Sequence, residues 1–305
     1  MIKDSIMTHQ MYSSDKIVKK QIIYIMGCGR SGSTILGYCL GNAANAVDLG
    51  EVLDYGPRKG LPSEFRIRQE SLKFWNSVTS RLAEQTDWIG IEEFTKLQKR
   101  LDNHYVLIPL LYFPYLLIPF GLKKYRKALK LIYQSIISSS PHQFYIDSSK
   151  YPSRLVHLNS LSPTLRLFTI YLVRDPSAVI DSFASPMQGP KSFFPATAYY
   201  SVVNFFSILA LQRTCKTAKC RVVYERLLEY PEAQLTEIAT LIGLDIKPVL
   251  EKINNSEPLS RGFLMNGNRM SRQQEVFLKN STLKSSNRSR LEHLTIFTLR
   301  NLFYR

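Results

Sequence analysis

The sequence predicts an α/β fold in which a P-loop-like parallel sheet is flanked by helices. Short apolar runs, too brief to be helices, recur along the chain, and a polar turn and then a segment with helical spacing follow each of them. The first run leads directly into a glycine-rich loop. Repeated strand–helix units of this kind favour a parallel sheet that is covered on both faces.

The predicted elements follow one another in a simple order. The first strand spans residues 21–26, a glycine loop occupies 27–34, and a helix runs from there to about residue 42. Three further apolar runs predict strands at 144–147, 167–173 and 221–224. Helical spacing follows at 176–184 and 230–242. The order strand, glycine loop, helix therefore opens the sheet.

Residues 57–142 interrupt this rhythm with largely amphipathic helical sequence, which predicts a helical cap insertion. A chain of 305 residues is near the upper size for one hydrophobic core. We therefore expect one domain over residues 21–305, preceded by a flexible N-terminal arm at 1–20.

An uncharged apolar stretch lies inside the insertion, at residues 106–120. Three prolines make it too broken to span a bilayer. Two interpretations stay open. The stretch is either a buried helix pair that lines an acceptor pocket, or part of a peripheral membrane contact over 106–127, where basic residues follow the apolar ones.

The chain is strongly basic, with 40 Lys and Arg against 24 Asp and Glu and a formal net charge of +16. An anionic partner is expected, and it could be nucleic acid, an anionic membrane surface or a small polyanion. The basic residues are spread along the chain without a nucleic-acid-binding motif, so we expect no nucleic acid partner. The four cysteines lack CxxC spacing and no secretory signal is evident, which favours the cytoplasm.

The glycine loop has the Walker A spacing Gly27-x-x-x-x-Gly32-Ser33-Thr34, but Ser33 stands where the lysine belongs. Its glycines let backbone N–H groups surround an anion, and the following helix adds the positive end of its dipole. Arg30 supplies a cation in place of the lysine. The loop therefore predicts a phosphate-like ligand other than ATP, unless it is merely a glycine turn before a helix.

The run from Ile25 to Leu36 resembles the 5′-phosphosulfate loop of sulfotransferases that use 3′-phosphoadenosine 5′-phosphosulfate (PAPS). The run from Leu172 to Ser182 resembles the 3′-phosphate motif of the same family, and the two occur in the family's order. The resemblance, to the bacterial, protein-tyrosine and carbohydrate branches, implies that Arg174 and Ser182 bind the 3′-phosphate. It also implies that the donor is bound by loop residues Gly29, Arg30, Ser31, Gly32, Ser33 and Thr34.

Weaker similarities extend the match towards the C-terminus. Residues 223–233 resemble a "YE-x-L…P" segment, which places Tyr224 among the cofactor-binding residues. Residues 266–270 resemble a "GN-x-x-R" loop that closes over the nucleotide. This similarity implies that Asn268 and Arg269 contact the donor, with Arg272 as the alternative arginine.

Sulfuryl transfer is an in-line displacement that needs one base and several cations, and no metal. The resemblance implies that Glu51 is the catalytic base, because it ends a "GE" pair after the first helix. A structural role for Glu51, at a helix end or beside an arginine, is the alternative. Asp54 and His157 are poorer candidates for the base.

The cations come from two segments. Asp147-Ser148-Ser149-Lys150 resembles a "D-x-[ST]-K" segment, which implies that Lys150 bridges the sulfate and the leaving phosphate. Arg30 would hold the sulfuryl oxygens. A lysine after a strand can equally be an ordinary solvated side chain.

The prediction is therefore a sulfotransferase that uses PAPS and a hydroxyl acceptor. Two other functions stay open: a P-loop phosphotransferase with Arg30 replacing the lysine and Asp175 binding Mg²⁺, or a non-catalytic binder of nucleotide or anionic lipid. The acceptor is left open among carbohydrate, tyrosine, lipid and metabolite. Four aromatic residues would either contact the acceptor or lie in the core: Phe193, Phe194, Tyr199 and Tyr200.

Overall fold

A computed structural model describes residues 20–62, 69–161, 165–184, 190–214, 218–266, 273, 275–278 and 288–304. In these ranges the chain forms a five-stranded sheet with the order β2-β3-β1-β4-β5. Every neighbouring pair is parallel, which confirms the predicted fold class. The strands are β1 (Gln21–Gly27), β2 (Ala46–Asp48), β3 (Phe144–Lys150), β4 (Arg166–Val173) and β5 (Ala218–Val223).

Helices connect the strands and cover both faces of the sheet. They are α1 (Ser33–Gly41), α2 (Gln69–Ala83), α3 (Ile91–Leu101), α4 (Leu107–Tyr112), α5 (Leu122–Ser138), α6 (Pro152–Ser160), α7 (Pro176–Ala184), α8 (Phe193–Arg213), α9 (Tyr224–Glu229), α10 (Pro231–Ile242), α11 (Lys247–Asn254) and α12 (Arg290–Leu299). Short 3-10 turns occur at Val52–Tyr55, His104–Val106 and Pro114–Leu117, and a π turn follows α12 at Arg300–Tyr304.

The central strand β1 is buried along its whole length, and its side chains alternate between two cores. Ile22 and Tyr24 point into a core that also contains buried residues of α2, α3, α5 and α6. Ile23 and Ile25 point into the opposite core, with α1, α10 and α11. The continuous apolar run of β1 follows from this central position, because helices lie on both of its faces.

The segment between β2 and β3 contributes a helical layer to one face of the sheet. Trp75 of α2 and Tyr133 of α5 are fully buried in the core that this face shares with β1. An ion pair ties the layer to α6, since Arg154 Nε lies 2.8 Å from Asp102 Oδ2 with both side chains buried. Tyr125 also donates a hydrogen bond to Asp102 (2.8 Å). The limits of the arm and of the cap insertion stay predictions.

Candidate active site

Three segments with predicted site residues meet at the carboxyl edge of the sheet. Met26, the last residue before the glycine loop, is the parallel partner of Lys150 on β3. Gly27 is the partner of Leu172 on β4, and Arg174 follows two residues later. The glycine loop, Lys150 and Arg174 therefore leave three adjacent strands on the same side, where α/β sheets bind their ligands.

The glycine loop has a backbone conformation that prepares it for an anion. Gly32 has φ +93°, and a Cβ atom there would lie 2.2 Å from the Tyr224 ring, so glycine is required. Gly32 also precedes the first turn of α1 and has no side chain to cap it, so no capping side chain competes with a ligand for the N–H groups at the start of that turn. Ser31 Oγ is buried, and it has no hydrogen-bond partner within the described part of the chain.

Arg174 is in direct contact with the glycine loop. Its Nη1 donates a hydrogen bond to the carbonyl oxygen of Arg30 (2.9 Å), and its guanidinium lies 4.5 Å from the centre of the Tyr224 ring. Arg174 Nε is buried without a hydrogen-bond partner among the described residues. Arg174, Tyr224 and the loop thus form one assembly, and two of its polar atoms, Ser31 Oγ and Arg174 Nε, have no hydrogen-bond partner in the part of the chain that the structure describes.

Ser182 lies in α7, which begins just after Arg174, and its side chain is half-buried. The neighbouring Phe183 packs under the loop, with its ring centre 5.6 Å from the Arg30 guanidinium. Arg288, which the sequence reasoning missed, donates a hydrogen bond to Asp181 Oδ1 at 2.5 Å and so adds a cation beside Ser182. Asn268 and Arg269, like Arg272, lie outside the described residues.

Glu51 and Lys150 form an ion pair between Oε1 and Nζ, with side chains that are 24% and 15% exposed. The chain places them far apart, but β2 and β3 are neighbours, so both residues reach the same edge. Lys150 has φ +74°, an uncommon conformation for a residue with a side chain. Two of the three side chains predicted to be catalytic, Glu51 and Lys150, are therefore in direct contact and partly shielded from water.

The backbone around Glu51 is fixed by hydrogen bonds that extend the sheet beyond β2. Leu49 N–H donates to Ile146 O, and Ser148 N–H donates to Gly50 O, both at 2.9 Å. Glu51 N–H donates to Asn266 O (3.1 Å), so a segment near the C-terminus closes against the same turn. The position of the carboxylate thus depends on three separate parts of the chain.

Asp147 stabilises this turn from the protein interior and is not exposed at the site. It is fully buried and accepts hydrogen bonds from the Tyr133 and Ser149 hydroxyls. Its Oδ1 also accepts from Ser149 N–H (2.9 Å) and Val52 N–H (3.4 Å). Burial raises the pKa of Asp147, an effect that Arg154 and these hydrogen bonds oppose.

The two weaker candidates for the base have other partners. Asp54 accepts a hydrogen bond from the Asn266 amide, and burial raises the pKa of Asp54. His157 is fully buried, with Nε2 2.8 Å from Leu101 O, and burial lowers the pKa of His157 to about 4. His157 is thus part of the interior between α6 and the end of α3.

A row of aromatic rings connects Lys150 to the glycine loop. The ring of Tyr151 stacks on His104 with centroids 4.6 Å apart, and His104 lies edge-on to Tyr199 at 6.3 Å. Tyr199 in turn packs edge-on against Phe183 (5.4 Å). Burial lowers the pKa of His104, and its Nδ1 is buried with no partner in the described ranges. The rings thus form a continuous aromatic layer between Lys150 and the glycine loop.

The sequence reasoning missed His104 and Tyr151, and it left open the roles of four aromatic residues in the first part of α8. The structure separates those four. Tyr199 belongs to the aromatic row, whereas Tyr200 is buried and donates a hydrogen bond to Arg174 O (3.0 Å). Phe193 is half-buried against Phe194, which is exposed. The one available signal for Tyr151 was its place directly after Lys150.

Asp175 is held by the C-terminal end of the chain. Arg300 donates to both of its oxygens (2.6 and 3.1 Å), and Ser177 N–H donates to Oδ1 (2.8 Å). Burial alone would raise the pKa of Asp175, but these hydrogen bonds outweigh it and lower that pKa. Within the described ranges no group of three or more His, Cys, Asp or Glu residues has the arrangement of a metal site.

These features define an α/β protein with a glycine loop and Arg174 at the carboxyl edge of its sheet and the Glu51–Lys150 ion pair beside them. The chain belongs to the sulfotransferase family, whose model matches residues 22–248, and this confirms the family that the two motifs predicted. No curated protein matches the chain significantly.

Several solved structures are similar to this chain. The sulfotransferase domain from the Synechococcus PCC 7002 olefin synthase is 22% identical, with a TM-score of 0.48 over 93% of this chain and 95% of that one. A sulfotransferase from Mycobacterium avium is 12% identical, with a TM-score of 0.49 over 95% and 78% of the two chains. A sulfotransferase from Mycobacterium tuberculosis H37Rv is 15% identical, with a TM-score of 0.46 over 78% and 72%.

Proposed function

We propose that this protein is a PAPS-dependent sulfotransferase that moves a sulfuryl group to a hydroxyl acceptor on the cytoplasmic side of the cell. The observation that carries the proposal is the contact between Glu51 and Lys150 at the sheet edge, next to the glycine loop. Family membership supports sulfotransferase activity in general.

PAPS is a nucleotide with anionic groups at both ends. Residues of this site could donate hydrogen bonds to each of the two ends. The loop N–H groups, the start of α1 and Arg30 would hold the 5′-phosphosulfate. Arg174, with Ser182 on the next helix, would hold the 3′-phosphate. The buried Arg174 Nε and Ser31 Oγ fit such a ligand, because leaving a buried polar atom without a partner costs about 1–3 kcal/mol.

The chemistry follows from the pair. The acceptor oxygen attacks sulfur while the bond between sulfur and the 5′-phosphate oxygen breaks, and that oxygen keeps the electron pair. Glu51 accepts the proton that the hydroxyl loses. Lys150 neutralises the charge that develops on the leaving oxygen, and its ion pair with Glu51 holds the two side chains together at the sheet edge.

The test is sulfation with isotopically labelled PAPS and a cell extract as the source of acceptors, with mass spectrometry to find products that have gained a sulfuryl group. We expect Glu51→Gln and Lys150→Ala each to lower turnover by about 10²–10³-fold. Glu232→Gln and Lys247→Ala, at exposed positions on α10 and α11, serve as matched controls.

Two outcomes would contradict the proposal. One is the absence of any sulfated product from the wild-type protein under conditions in which it binds PAPS. The other is phosphate transfer from ATP that requires Mg²⁺, which would favour the phosphotransferase instead. Equal activity of Lys150→Ala and Lys247→Ala would refute the assigned role of the lysine while leaving the donor open.

A further inference from the structure

A large apolar surface is formed by residues 105–120, which include α4 and the turn at Pro114–Leu117. No Asp, Glu, Lys or Arg occurs between residues 103 and 122. The most exposed side chains are Tyr105 (93%), Tyr115 (61%), Leu116 (52%), Phe120 (52%) and Phe113 (47%). Contiguous exposed apolar side chains of this size mark a surface that binds a partner.

The outer face of α8 continues this surface. Val202 and Phe205 of α8 are exposed, and the Arg213 guanidinium lies 4.6 Å from the Tyr112 ring of α4. Among the described helices, α8 is long and apolar enough to cross a membrane. Only 33% of the residues in its most apolar 18-residue stretch are buried in the fold. Much of its apolar surface is therefore left uncovered by the fold.

The inner face of α8 is fixed to the nucleotide site. Tyr200 donates a hydrogen bond to Arg174 O (3.0 Å), and Asn204 Oδ1 accepts one from Tyr171 on β4 (2.8 Å). Breaking these buried contacts would disturb the sheet edge. Helix α8 must therefore lie on the surface of a bilayer, with its outer face towards the lipid, and it cannot cross the bilayer.

Basic residues border the apolar surface on both sides in sequence. Residues 121–131 contain five Lys and Arg and no acid, and Lys96, Lys99 and Arg100 precede the surface. Lys123, Lys124 and Lys127 are exposed, although Lys124 and Lys127 each pair with a carboxylate of the preceding segment. Aromatic and aliphatic side chains beside a basic border are the composition of a segment that binds the interface of an anionic bilayer.

A shallow apolar groove of about 390 Å³ lies within this surface. Its lining is formed by Leu101, Val106, Leu117 and Phe120, with Arg100 as the charged member. Apolar walls with one cation suit an acyl chain whose anionic headgroup stays at the rim.

We propose that residues 105–120 and the outer face of α8 dock onto an anionic lipid bilayer, with the basic residues at 123–130 against the headgroups. A bilayer fits better than a second copy of the chain, because a symmetric dimer through this face would bring two basic borders together. The docking surface does not depend on sulfuryl transfer.

The test is co-flotation of the full chain with vesicles of phosphatidylcholine, with and without phosphatidylglycerol. We expect binding to the anionic vesicles at low salt, weakened by added salt. Leu116→Glu should lower the partition coefficient by at least about tenfold, since a Leu side chain that would enter the bilayer is replaced by a charge. Leu241→Glu is the matched control, because Leu241 of α10 is 54% exposed and lies outside this surface. Lys123→Glu should weaken binding only to the anionic vesicles, with Lys247→Glu as its control.

Three results would overturn the proposal: no flotation with anionic vesicles at low salt, equal flotation of the Leu116→Glu and Leu241→Glu proteins, or a dimer in sedimentation velocity that Leu116→Glu dissociates while vesicles are not bound. Turnover of soluble PAPS without vesicles should be the same in the wild-type and Leu116→Glu proteins. If the wild-type protein shows no turnover of PAPS, that result refutes the proposed enzymatic activity and leaves the membrane-docking proposal unaffected.

Discussion

Arg174 donates a hydrogen bond to the main-chain carbonyl oxygen of Arg30 at 2.9 Å, and this contact joins the two predicted ends of the donor site. The tyrosine ring of Tyr224 lies on the Arg174 guanidinium, so the side chain is held in place before any ligand binds. Because the arginine touches the glycine loop itself, the two segments predicted to bind the anionic groups of the donor lie next to each other at the sheet edge.

Replacing Arg174 should weaken donor binding selectively. A hydrogen bond to a charged group contributes about 1.5–3 kcal/mol, so Arg174→Ala should lower the affinity for 3′-phosphoadenosine 5′-phosphate by about 10–100-fold in calorimetry. Arg166→Ala is a matched control, because Arg166 is exposed at the opposite end of the same strand. Equal affinities of the two variants would show that Arg174 supports the loop without binding the nucleotide.

Lys150 combines an unfavourable backbone conformation with a proposed catalytic side chain. At φ +74°, a residue with a Cβ atom costs about 1–2 kcal/mol relative to glycine. Lys150→Gly should therefore lower turnover by about 10²–10³-fold and yet melt at a higher temperature than Lys150→Ala, which retains the Cβ atom. Turnover is followed with labelled PAPS and melting by differential scanning fluorimetry. A Lys150→Gly protein that melts below Lys150→Ala would mean that the strain is absent in solution.

Sequence reasoning found four of the five strands, because β1, β3, β4 and β5 each contain an apolar run. It missed β2, whose three residues are too few to show a period, and which pairs with the sheet only through β3. The predicted end of β3 at residue 147 was three residues early. The strand continues through polar residues because their hydrogen bonds go to the turn after β2, including Leu53 N–H to Ser149 Oγ at 2.9 Å.

The site was predicted less completely than the sheet. The resemblance supplied Glu51 and Lys150 separately, but their contact depends on the pairing of β2 with β3, which has no local signal. His104 and Tyr151 were missed because a single histidine and a tyrosine after a strand carry no pattern. Arg300 was missed because it comes from the distant C-terminal end and reaches Asp175 only in the folded chain.

Gly32 should be far less tolerant of substitution than another glycine with a similar backbone. Gly32→Ala would place a Cβ atom 2.2 Å from the Tyr224 ring and push that ring off Arg174, so both stability and donor affinity should fall. Gly243 has φ +71° with nothing within 4 Å, and Gly243→Ala should cost only about 1 kcal/mol and leave donor affinity unchanged.

A double-mutant cycle separates two costs of Gly32→Ala: the steric clash with the Tyr224 ring and the backbone strain of a positive φ. In a Tyr224→Ala background, Gly32→Ala should destabilise the protein by about as much as Gly243→Ala does, because the ring is gone and only the positive φ remains. The free energies come from urea unfolding. If Gly32→Ala is equally costly with and without the Tyr224 ring, the contact does not exist in solution.

Asp48 should make the protein less stable as the pH rises. Burial raises the pKa of Asp48 to about 8, an effect only partly offset by Gly50 N–H, which donates to Oδ1 at 2.9 Å. Oδ2 is buried without a hydrogen-bond partner among the described residues. Between about pH 4, where the unfolded side chain loses its proton, and about pH 8, the native state holds a proton that the unfolded state releases. Stability therefore falls with rising pH across this range.

Asp48→Asn keeps an oxygen for Gly50 N–H but carries no charge, so it should remove this dependence. We expect its melting temperature to exceed that of the wild type by an amount that widens from pH 4 to pH 8, by about 10 °C in all, and then stays constant. Asp245→Asn, at an exposed position, should show a small gap that does not widen in this way. A constant gap for Asp48→Asn would mean that Asp48 is already ionised in the native protein at low pH, with a counter-charge that stabilises it.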